Sequence, residues 1–213
     1  MKLIKQLLAI ATVAFMAAGV AAPAAAQEKP DVLVKRISQE VIETAKNDKA
    51  IQSGDTRKVM DLVESKILPY VDSDKMTSIA AGRFWRQATP EQQKQLTAEF
   101  RTLLIYTYAG ALSQIKDQTV EFKPMRASDS DTDVVVRSQV NQARGEPIQL
   151  DYRLTKEASG WKIYDLNVLG AWLIETYKSN FASEISKGGI DGLIKKLHDR
   201  NAQLASKPLK AVK

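Results

Sequence analysis

Three features of this chain could do chemistry: a lone histidine, a carboxylate among apolar neighbours, and a glycine-rich stretch. His198 is the only histidine in 213 residues, and cysteine is absent. A hydrolytic centre needs a nucleophile beside a base, and a zinc site needs several imidazole or thiolate ligands. His198 lies among Lys195, Lys196, Asp199 and Arg200, so neither can be built around it, and it reads as a solvated residue on a helix's polar side. Asp165 follows Tyr164 within an apolar strand. A lone acid in an apolar pocket can serve as a base; the preferred reading is a strand carboxylate that accepts hydrogen bonds from backbone or an arginine. Gly188-Gly189-Ile190-Asp191-Gly192 has a superficial likeness to a phosphate loop. It follows a helix, not a strand, and lacks the Walker spacing, so helix capping is the better account.

What remains is a surplus of oil. Phe84, Trp85, Phe100, Tyr106, Tyr108, Tyr152, Tyr164, Trp172, Tyr177 and Phe181 are individually ordinary core residues. Leu103 to Leu112, LLIYTYAGAL, is nevertheless apolar or weakly polar on nearly every side, and such a helix must be covered on more than one side. Together with the half-apolar turn from Leu166 to Ile174, it offers more apolar surface than one sheet-helix contact uses. A pocket for an apolar ligand would account for the excess.

The elements that must position these residues follow from periodicity. From Trp161 to Val168 the chain alternates at period two, a strand; beyond Gly170, Ile174, Tyr177, Phe181 and Ile185 recur at helical spacing. Gly188-Gly189 can end that helix, and a shorter one carries Ile190, Ile194 and Leu197. Upstream, helices are expected from Pro30 to about Asn47 and from about Asp55 to Leu68, where Pro69 stops the second. A third, beginning near Asp72, carries Met76, Ile79, Ala80 and Phe84 and ends with Phe84 and Trp85 between Arg83 and Arg86. Thr89-Pro90-Glu91-Gln92 has the residues of a capping box with proline in the first turn, opening a fourth helix. Segments around Val120 and Phe122, Val134 to Val140, and Ile148 to Leu154 alternate like strands joined by polar turns. With Trp161 onward they make an antiparallel meander, one face buried and one wet. The fold class is α+β, a sheet with helices laid over it.

Lys2 and Lys5, the uncharged apolar run Leu7 to Val20 and Ala24-Ala25-Ala26 have the layout of a secretory signal peptide over residues 1–26. Removing 26 of the 213 residues leaves 187, and the net charge falls from +6 to +4 because only Lys2 and Lys5 are charged there. Residues 27–205 form one expected domain and 206–213 a disordered tail. The mild positive excess suits an anionic membrane surface or an acidic partner and is too diffuse for nucleic acid. An exported, cysteine-free chain folds without disulfides, and a bacterial periplasm is the expected compartment.

Gly82-Arg83-Phe84-Trp85, Thr89-Pro90-Glu91-Gln92, Phe100-Arg101, Tyr108-Ala109, Trp161-Lys162-Ile163-Tyr164-Asp165 and Gly188-Gly189-Ile190-Asp191-Gly192-Leu193 together resemble the toluene-tolerance family, the periplasmic MlaC-type phospholipid-binding proteins, from about Pro30 to Leu204. The resemblance implies a curved, mainly antiparallel sheet of four to five strands wrapped by about six helices, an NTF2-like cone with an added helical part. It implies a non-catalytic carrier, free of cofactors and metals and expected as a monomer. Its glycerophospholipid cargo would pass between a lipoprotein complex at the outer membrane and an ABC-type permease complex at the inner membrane. The expected lining for the acyl chains is Trp85, Phe100, Leu103, Leu104, Tyr108, Leu150, Tyr152, Tyr164, Leu166, Val168, Leu173, Ile174 and Tyr177. The alternative is an NTF2-like enzyme using Asp165 as base on a small apolar substrate.

Overall fold

The computed structural model describes residues 27–128, 130–142 and 145–207; the expected signal peptide and most of the expected tail lie outside them. Helix α1, Pro30–Asn47, starts with proline in its first turn and buries Leu33, Val34, Ile37, Val41 and Ala45. A four-residue helix α2, Lys49–Gln52, is absent from the sequence expectation. It forms because the Asp48 side chain accepts the N–H groups of Ala50 and Ile51. Helix α3, Thr56–Lys66, is capped by Asp55 in the same way. Helix α4, Ser73–Ala81, ends earlier than expected. Gly82 stops it with φ 57° and ψ −130°, and Phe84 belongs instead to a 3-10 turn, Gly82–Gln87.

Helix α5, Pro90–Tyr108, begins with the full capping box: Thr89 accepts from the Gln92 N–H while the Gln92 side chain accepts from the Thr89 N–H. It does not run to Leu112. From Ala109 to Gln114 the chain tightens into a 3-10 segment, which turns Leu112 and Ile115 toward the sheet cluster.

The sheet is an antiparallel meander in the order β1 (Thr119–Phe122), β2 (Asp133–Asn141), β3 (Ile148–Glu157), β4 (Gly160–Val168) and β5 (Ala171–Trp172). On its inner face Val134 and Val136 stand opposite Leu154 and Tyr152, which stand opposite Ile163 and Leu166. The last pairing departs from the strict alternation read from the sequence. Arg153 pairs with Asp165 and Leu154 with Ile163, so Tyr164 is an unpaired extra residue, a β-bulge. Beyond the bulge the inward set is Leu166 and Val168, whereas before it the set is Trp161 and Ile163.

Two apolar clusters result. One lies between the inner sheet face, α1, α2 and α3. The other lies among α4, α5 and the last helix, α6, Leu173–Ala205. A parallel bridge between Val71 and Ile163, with the Asp72 N–H donating to the Ile163 carbonyl, ties the helical layer to β4 immediately before the bulge. Helix α6 is two helices joined at a kink, as its glycines lead one to expect: Gly189 takes φ 67° and ψ −172°, a conformation open essentially only to glycine. Among the described residues no helix is long and apolar enough to cross a membrane.

Candidate functional site

Asp165 is fully buried, and its two oxygens are both engaged. One accepts from the backbone N–H of Leu166 at 2.9 Å and of Ile174 at 3.1 Å; the other accepts from the Arg153 guanidinium at 3.0 Å. Trp172, which precedes α6, offers no capping side chain, so Asp165 supplies the missing acceptor to the helix's first turn from the neighbouring strand. Arg153 is held from its other side by the Trp172 ring, 3.9 Å from guanidinium carbon to centroid. Burial raises the Asp165 carboxyl above its ordinary range despite the two N–H donors and Arg153. A carboxylate occupied in this way ties strand to helix, as the preferred sequence reading holds. His198 lies on the surface with Nδ1 3.0 Å from Glu99. Among the described residues no group of three or more potential metal ligands is gathered.

The thirteen residues expected to line an acyl site divide between the two clusters. Phe100, Leu103 and Ile174 are buried in the helical cluster, with Trp85, Leu104, Tyr164 and Tyr177 half-buried against it. Phe100 is its centre, meeting Tyr177 and Phe181 edge to face at centroid separations of 5.0 and 4.9 Å. Tyr152 is buried in the sheet cluster, with Leu150 and Leu166 packed on it. The bulge is what separates Tyr164 from Leu166: the two do not share a face, as alternation alone would have it. Val168 and Tyr108 are half-buried and Leu173 is buried, outside both clusters.

The half-covered members deserve the closest reading because they are apolar yet incompletely packed. Leu150, Leu166 and Val168 lie on the inner sheet face beyond the bulge; Leu104, Ile105 and Tyr108 lie on the C-terminal half of α5, with Leu112 just after it. Ile105, Leu112 and Met125 are members of this rim that the expected lining omits, although Ile105 and Leu112 sit within the all-round apolar stretch that signals it. Burial pushes the Tyr177 phenol up to about 12, with the adjoining Tyr108 adding to the effect, and burial raises Tyr108 and Tyr152 as well. All three are neutral at physiological pH, so the surrounding walls carry no charge from them.

Two surface grooves lie elsewhere. One, of about 450 Å³, runs between α5 and the distal part of α6 and is lined by Gln95, Glu99, Asp191, Lys195 and His198 among others. The second, of about 380 Å³, is lined by Arg126, Asp131, Asp133 and Arg137 with their neighbours. Neither includes any of the thirteen.

Comparison with known proteins gives the site its context. The family model described as MlaC protein matches residues 35–199. The intermembrane phospholipid transport system binding protein MlaC of Haemophilus influenzae is 25% identical over 189 residues, covering 87% of this chain and 86% of that one. Toluene tolerance protein ttg2D of Pseudomonas putida is 25% identical over 167 residues, 78% of this chain and 77% of its own. A solved phospholipid-binding protein from Ralstonia solanacearum, in complex with a phospholipid, is 52% identical with a TM-score of 0.80, covering 84% of this chain and 99% of that one.

Proposed function

Since this chain belongs to the MlaC protein family, we propose that it is a phospholipid carrier that moves glycerophospholipid through the periplasm without catalysing any reaction on it. The observation that carries this reading is the relative at 52% identity, matched over 84% of this chain, that is described as in complex with a phospholipid. The half-packed apolar rim supports it from this chain's own residues. Each methylene left in water costs about 0.8 kcal/mol, so two chains of about 16 carbons would cost on the order of 25 kcal/mol. The acyl chains lie along α5 and reach both clusters, against the thirteen residues expected to line them and Ile105 and Leu112 beside them. The headgroup stays toward solvent. Residues 27–205 act as one lipid-binding unit, released by cleavage after Ala26, and work as a monomer. The partners are a lipoprotein complex at the outer membrane and a permease complex at the inner one.

The test is to isolate the protein from a periplasmic fraction, extract it with organic solvent and look for phospholipid by mass spectrometry. A protein that comes out empty and takes up none from vesicles sinks the reading. Within it, Leu104→Arg and Tyr164→Glu place a charge where a tail would lie and are expected to lower loading by roughly tenfold or more while the fold persists. Two folded variants that remain fully loaded would move the site elsewhere.

A further inference from the structure

The 3-10 turn Gly82–Gln87, GRFWRQ, is not accounted for by cargo binding alone. Gly82, in a backbone conformation closed to most residues, breaks α4 and starts the turn. Gln93 of α5 pins it by donating to the Trp85 carbonyl at 2.9 Å. Phe84 and Trp85 pack on the helical cluster but remain half-exposed. Arg83 and Arg86, on either side of them, are exposed, and the turn contains no acidic residue. Among the described residues neither arginine has a carboxylate partner within salt-bridge distance; Arg83 lies only over the adjacent Phe84 ring, 4.9 Å from its centroid. The basic stretch around His198 is different, since Lys195 pairs with Asp199 at 2.7 Å and Lys196 with Glu184 at 2.8 Å.

We propose that the Gly82–Gln87 turn is a membrane-adsorbing edge whose partner is a bilayer surface containing anionic phospholipid. Such a surface presents phosphates and an apolar boundary side by side, which matches free guanidinium groups flanking two amphipathic rings. An acidic protein surface would satisfy the arginines and leave the exposed ring edges unused. Two basic residues give weak, reversible attachment, as a protein that must leave one membrane for another requires. The proposal concerns attachment and is separable from cargo.

The experiment mixes the lipid-loaded protein with vesicles of phosphatidylcholine, with and without phosphatidylglycerol, and follows co-sedimentation at low and high salt. Adsorption is expected only with phosphatidylglycerol, declining as salt screens it. Arg83→Gln is expected to weaken it about fivefold and the double variant with Arg86→Gln roughly 25-fold. Lys195→Gln with Lys196→Gln removes the same charge from α6 and is expected to change little. Equal adsorption to both vesicles, an unaffected arginine double variant, or an equal loss in the lysine control would overturn the proposal. So would retention of the protein on immobilised polyglutamate through Arg83 and Arg86 with no adsorption to vesicles, which assigns the turn to protein docking. Phospholipid content, measured on the same samples, reports on the carrier function independently.

Discussion

Asp165 joins β4 to β3 through Arg153 and to α6 through the Ile174 N–H. Replacing it by alanine leaves the Arg153 guanidinium without its carboxylate and the Ile174 N–H without an acceptor in a buried setting. The expected loss is about 1–3 kcal/mol, read as a lower urea midpoint at unchanged slope. A loss below about 1 kcal/mol would mean that the ion pair is incidental. Tyr177 gives a second prediction at this scale. Its phenol is pushed up to about 12 in the fold, whereas an unfolded tyrosine ionises near 10. The neutral phenol therefore supports the fold fully below a pH of about 10, and that support is lost as pH rises from there through about 12. Stability measured across this window should fall, and Tyr177→Phe should reduce the fall without abolishing it, because Tyr108, Tyr152 and Tyr164 are also raised. An identical profile for wild type and variant would contradict the assignment.

At the scale of elements, α6 is governed by one dihedral pair. Gly189→Ala meets no neighbouring atom, so its cost is backbone strain alone, expected at about 1–3 kcal/mol by chemical denaturation. Gly188→Ala, one residue earlier and without a positive φ, should instead gain about 0.4–1 kcal/mol. Equal effects at the two sites would show that α6 is not broken where the dihedrals place the break. Much of this level was legible in the sequence. The proline at the start of α1, the Thr89 capping box and the alternation in β2 and β3 are local signals that the chain obeys locally. The unexpected parts arise where local preference meets a neighbour: α5 tightens after Tyr108 to bring Leu112 against the sheet cluster, and the Asp48 cap makes a helix of four residues.

At the scale of the molecule, the apolar surplus was legible but its partition was not. Counting aromatics and leucines identifies Phe100, Leu104, Tyr152 and Tyr164 as members of an oily set. Only the long-range pairing of β3 with β4 and of α5 with α6 decides that they belong to two clusters. The loading test on Leu104→Arg and Tyr164→Glu is thus a test of the helical side of that partition, since both residues line the helical cluster while Leu150, Tyr152 and Leu166 line the other. The unpaired Tyr164 also sets a rule for how this chain can change. Losing one residue there would remove the bulge and leave Leu166 and Val168 inward by plain alternation, whereas pairing every residue of β4 without a bulge would bring Asp165 and Asn167 to the inner side. The one-residue offset of the bulge, more than the composition of the segment, keeps the greasy wall greasy.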